Sequence, residues 1–164
     1  SEAVEKIDAS RMEVLSEFPV EYDNDEETLT PHLASLKKVF VGKLNGFAVL
    51  SSSASIGQMT PDVAFDKGNF PVLTEMLDKA LKGDFDGESL SVESGADKLS
   101  VGVNRNFPHT STAPLERIYL INLRPVFLNE GDSLDQGYAG LKLPSKSAAR
   151  LCEEMKKLLA EKKI

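Results

Sequence analysis

The densest run of side chains with chemical use is Asn104, Arg105, Asn106, Phe107, Pro108, His109, Thr110, Ser111 and Thr112. A guanidinium at Arg105 can fork onto a carboxylate or phosphate, and an imidazole at His109 can exchange a proton near neutral pH. The hydroxyls of Thr110 and Ser111 can orient a ligand. Arg117 and Arg124 flank the apolar run at 118–121, where they either point toward the same end or pair with acids such as Glu116 and Glu130. Arg105, His109, Thr110, Ser111, Arg117 and Arg124 are therefore the candidate ligand-binding set. The competing reading is an exposed loop whose Asn, Pro, Ser and Thr satisfy turn geometry.

Other chemistries find less material. A phosphate loop needs glycines ahead of a Gly-Lys pair, and Gly42-Lys43 has no glycine five residues upstream. A calcium loop starting at Asp23 would carry Thr28 where glycine is required and Ala34 where glutamate is required; one starting at Asp84 would carry Ser89 and Gly95. Asp84, Asp86 and Glu88 read as a solvated turn. His32 and His109 lie far apart, so zinc would need the fold to join them to a carboxylate. Cys152 stands alone and falls beside Leu151 and Met155 on the apolar stripe of a helix, where a thiol behaves as a small hydrophobe. No Gly-x-Ser-x-Gly elbow occurs. The expectation is no catalytic residue, no metal and no cofactor, and a chain more suited to binding than to catalysis.

The elements that must position these residues follow from periodicity. Val4, Ile7, Val14, Leu15 and Phe18 recur at helical spacing, which predicts a helix over 2–17 closed by Pro19. Thr30 and Pro31 make a good helix start, with the second helix running to about 38. Residues 39–50 read as a β-hairpin around Asn45-Gly46, since Asn-Gly tolerates the positive φ angles of a type I′ turn. Residues 51–69 read as an irregular connection that is either a functional flap or hides a short element. Asn69 and Pro71 open a helix whose apolar stripe is Val72, Leu73, Met76, Leu77, Ala80 and Leu81, closed by Gly83. Alternation of Leu90 and Val92, then Leu99, Val101 and Val103, predicts a second hairpin. Ile118 to Ile121 is apolar without alternation, as in a central strand, with Pro125 at its end. A glycine-rich loop, 131–140, leads to a last amphipathic helix from Ser145 through Leu159.

The resulting order, ααββαβββα, indicates an α+β fold in one domain spanning 1–164: about five antiparallel strands with three or four helices against them, and a peripheral helix in residues 1–20. This order resembles that of roadblock and profilin-type domains, over roughly residues 30–163. The resemblance implies a five-stranded antiparallel sheet sandwiched by helices, dimerisation, and a role in scaffolding other proteins.

Composition narrows the partners. The chain has 164 residues, 41% apolar and 27% charged, enough to bury a core without staples. Nineteen basic against 26 acidic residues give a net charge of −7, which disfavours nucleic acid and anionic lipid. No apolar run reaches bilayer length and SEAVEKIDAS lacks the order of a signal peptide, so no membrane insertion and a cytoplasmic location are expected. The expected function is a non-enzymatic scaffold or adaptor module, dimeric, holding another protein or a second copy of itself through a sheet edge or helix face. The alternative is a small enzyme or ligand-binding protein with a pocket around 104–112.

Overall fold

The computed structural model describes residues 12–21, 37–53, 60–83, 89–94, 97–106, 116–125 and 139–164. Strands β1 (Glu13–Pro19), β2 (Lys38–Leu44), β3 (Phe47–Ser53) and β4 (Thr60–Asp66) precede helix α1 (Phe70–Lys82). Strands β5 (Ser89–Ser94), β6 (Asp97–Asn106), β7 (Glu116–Pro125) and β8 (Ala139–Pro144) precede helix α2 (Ser145–Ala160). Each group of four strands forms its own antiparallel sheet in sequence order. The chain is thus α+β, built as ββββα twice. The expected single sheet of five strands is replaced by two sheets of four, with two α-helices among the described residues.

Local sequence explains most of this. Asn45 takes φ 54 beside Gly46, and the rung Leu44–Phe47 closes the β2–β3 hairpin. The predicted N-terminal helix is overturned over 13–17, which is strand β1; residues 1–11 lie outside the described ones. A bulge between Val14 and Ser16 supplies the reason. It makes Leu15 an extra residue, so that Leu15 and Phe18, three apart as on a helix face, both pack against the core. The second predicted helix lies outside the described residues except at its end, where Lys38 already belongs to β2. The 51–69 connection hides most of a strand pair: β3 continues to Ser53, and β4 starts at Thr60 with Pro61 tolerated because β4 is at the sheet edge. The expected loop before the last helix likewise ends in strand β8.

Asp66 leads out of β4, accepting the Gly68 N–H at 2.8 Å in a short 3-10 turn, and α1 follows with proline in its first turn. The rings of Phe65 and Phe70 stack with centroids 6.4 Å apart and fix the corner between β4 and α1. Helix α1 then packs on β5 and β6 of the other sheet, and against α2, while α2 covers β7 and β8 and reaches β1. Strand β4 lies against β7 and β8. One continuous buried cluster results, drawing Val41, Leu50 and Phe65 from the first sheet, Val101, Ile121 and Leu141 from the second, and Leu73, Leu77, Leu151 and Met155 from the helices. Each such side chain contributes roughly 1.5–3 kcal/mol by leaving water. The first sheet also has a small cluster on its other face, where Met12 joins Val49 and Ala64, with Phe40 and Leu44 packed beside them.

Candidate functional site

The β6–β7 ladder is the longest among the described residues and sets the backbone position of three candidate arginines. Its register is unbroken from Asp97–Pro125 to Asn106–Glu116. Arg105, expected in a loop, is a residue of β6 and sits directly opposite Arg117 of β7. In the register this rung lies two residues beyond the Val103–Tyr119 rung. Arg124 is opposite Lys98 near the other end of β7, about 24 Å away at the rise of an extended strand. His109, Thr110 and Ser111 lie outside the described residues.

The row through Arg105 and Arg117 leads to the start of α2. Ile118 pairs with Pro144, so Arg117 is one residue beyond the last rung, where β8 turns into the helix. Pro144 occupies the cap position, no side chain caps the helix there, and its first turn holds no acid. This junction was hidden from sequence reasoning because β8 was read as loop.

Two polar seams tie the elements together. Between the helices, Asp78 accepts from Lys156 Nζ at 2.6 Å and from Lys82 Nζ at 2.8 Å. The Lys156 ammonium, then that of Lys82, holds the Asp78 carboxyl below its ordinary range, and Lys156 is raised by the same contact. Cys152 is buried alongside, its sulfur 4.0 Å from both the Thr74 carbonyl and Asp78 Oδ1, and burial pushes its thiol up. That environment suppresses the thiolate, as a core cysteine requires. Between β1 and α2, Ser16 donates to Glu154 Oε2 at 2.8 Å while Arg150 donates to Oε1 at 2.9 Å and lies over the Phe18 ring at 5.6 Å. The Ser16 hydroxyl, then the Arg150 guanidinium, lowers the Glu154 carboxyl. At the start of α2 the Glu21 N–H donates to Ser147 Oγ at 2.8 Å, and the Ser147 hydroxyl donates back to the Glu21 carbonyl at 3.0 Å.

The sheet edges differ in how they are finished. Strand β1 has a bulge, ends in Pro19 and is strapped to α2. Strand β4 carries Pro61 and faces a register shift, and it lies against β7 and β8. Strand β8 carries Lys142, ends in Pro144 and lies against β3 and β4. Strand β5, Ser-Leu-Ser-Val-Glu-Ser, has an unbroken register with β6 and holds no proline and no basic residue. No described strand pairs with its other side.

Among the described residues no group of three or more His, Cys, Asp or Glu is placed to hold a metal ion, and no helix is long and apolar enough to cross a membrane. Neither the protein-family models nor the curated proteins compared with this chain match it.

Proposed function

We propose that the protein is a non-enzymatic binding module that docks an extended strand on the outer edge of β5, and that the occupant of this edge is a second copy of the chain. The supporting observation is the contrast among the four sheet edges. Natural sheets blunt exposed edges with bulges, prolines, lysines or covering elements, and an edge without these devices is a template for another strand. β1, β4 and β8 each carry a bulge, a proline or a lysine; β5 has none of these, only Glu93 on its length and α1 packed beside it.

The side-chain order of β5 suits antiparallel self-pairing centred on Ser91. Partner positions then sum to a constant, which sets Ser91 opposite Ser91, Leu90 opposite Val92, and Ser89 opposite Glu93. Apolar meets apolar on the face where Leu90 packs against the core, and no glutamate faces another. Two four-stranded sheets would join into one of eight.

Size-exclusion chromatography with light scattering at tens of micromolar tests this directly. The expected result is a dimer. Ser91 is exposed, so Ser91→Lys should leave the far-UV circular dichroism of the folded chain unchanged while weakening dimerisation about threefold or more through the opposed charges. A wild-type monomer, or a dimer indifferent to this substitution, would overturn the reading.

A further inference from the structure

We propose that the outer face of the first sheet is a docking surface, independent of the β5 edge, and that its occupant is the chain's own segment 1–11, laid across the strands as a short amphipathic helix. The observation that carries it is burial on the wrong side of the sheet. Val49 and Ala64 point away from the common core, yet Val49 is fully buried and Ala64 is 1% exposed. The cluster they belong to draws only on the sheet's own strands and on Met12, with Phe40 and Leu44 beside them. One layer of strands leaves its outward side chains partly wet, so a further layer must lie on this face. Ser51, two residues along β3 from Val49, gives the same sign: its hydroxyl is buried and has no hydrogen-bond partner, whereas on an open face water would supply one. On the second sheet the outward Ser91 and Lys142 are exposed.

Attachment, reach and pattern select the occupant. Met12 already lies on the outer face, since a Cβ on Gly42 would meet its Cγ at 2.6 Å, and residues 1–11 join the chain there. The other candidate segment, 22–36, departs from Glu21, whose backbone is bonded to Ser147 of α2 on the core side. From β1 to β4 is three strand spacings, about 14 Å, and eleven residues of helix rise about 16 Å. Val4 and Ile7 stand one helical turn apart, while Glu2 and Lys6 are placed to pair on another side. The face offers them Phe47 and Val49 of β3 and Leu44 of β2, on adjacent rungs.

Alkylation of the full chain carrying Val49→Cys tests the assignment, with N-ethylmaleimide as probe, peptide mass spectrometry as readout and Cys152, buried in the core, as internal control. The expected result is a thiol at position 49 that is protected as Cys152 is. Adding Val4→Asp and Ile7→Asp should speed its alkylation at least tenfold while Cys152 stays protected. Should the aspartates open Cys152 as well, Val4→Ala with Ile7→Ala carries the same test in a gentler form, with the same expected direction. The proposal is overturned if position 49 reacts at the rate of the urea-unfolded chain while residues 1–11 are unaltered, or if its protection survives the changes at positions 4 and 7. In the second case, loss of protection with Leu33→Asp and Leu36→Asp would assign the cover to 22–36, and loss on dilution would assign it to a second copy. Ser91→Lys should leave the protection unchanged, so failure here can be told from failure of the β5 reading.

Discussion

The two sheets share one topology and differ in what they leave open. The first has apolar residues buried on both faces, with Val41 and Leu50 toward the common core and Val49 and Ala64 on the other side. Its edges are bulged or carry proline, and its first strand is strapped to α2. The second has Ser91 and Lys142 exposed on positions alternate to its core residues, with Leu120 half-buried and Gly102 buried among them, and it contributes the edge without bulge, proline or lysine and the opposed arginines of the register. Repetition of a ββββα unit therefore does not imply repetition of its use. Closed edges suit a supporting half; an open edge suits a half that meets partners.

The largest effect that could break this contrast concerns the shared core. Ile121 and Leu50 are fully buried in opposite sheets but in one cluster. Truncating either to alanine should cost about 2–5 kcal/mol. If the halves are one cooperative unit, each variant shifts a single urea transition seen identically by circular dichroism and by the combined fluorescence of the three tyrosines. Separate transitions would show that each sheet stands on its own core.

A smaller effect sharpens the account of the first sheet's outer face. A Cβ on Gly42 would lie 2.6 Å from Met12 Cγ and 2.7 Å from the Glu13 carbonyl oxygen. The methionine can swing away, but the carbonyl belongs to the bulged backbone of β1. Gly42→Ala should therefore destabilise by about 1–3 kcal/mol, and adding Met12→Ala should not restore the loss. Full rescue by Met12→Ala would show that only the side chain matters and that the bulge is free to move.

The smallest effect is electrostatic and belongs to the seams around α2. Asp78 and Glu154 are carboxylates held below their ordinary range. Such a group adds stability above its unfolded pKa, near about 4, and that contribution disappears as pH falls through the lower folded value. Asp78→Asn combined with Glu154→Gln should lower stability modestly at neutral pH, with the curves of variant and wild type converging below about pH 3. A constant offset down to that pH would mean that packing, not charge, is what the substitutions removed.

Much of the second half was legible because its signals are local. Leu90, Val92, Leu99, Val101 and Val103 alternate as a half-buried hairpin must, and the stripe from Ala148 to Leu159 has helical spacing. The first half hid behind two tertiary effects. A bulge at Leu15 broke the period of two, and Ser51 to Ser53 carry little strand propensity although Ser51 is fully buried, its hydroxyl without a hydrogen-bond partner among the described residues. β4 and β8 were obscured by Pro61 and by Gly140 beside a glycine-rich stretch. Arg105 and Arg117 were each visible as candidates, but their opposition depends on β6 reaching Asn106 and β7 starting at Glu116. Register is a property of paired strands, and no single stretch of sequence states it.

The exchange of α1 onto the sheet that follows it has a consequence for synthesis. When the ribosome has released residues through Lys82, the apolar side of that helix still lacks β5 and β6, the surfaces it covers in the finished protein. The early half must wait with Leu73, Leu77 and Ala80 exposed to water or to other chains until the later strands emerge, so translation pauses before Asn106 prolong the interval of greatest aggregation hazard.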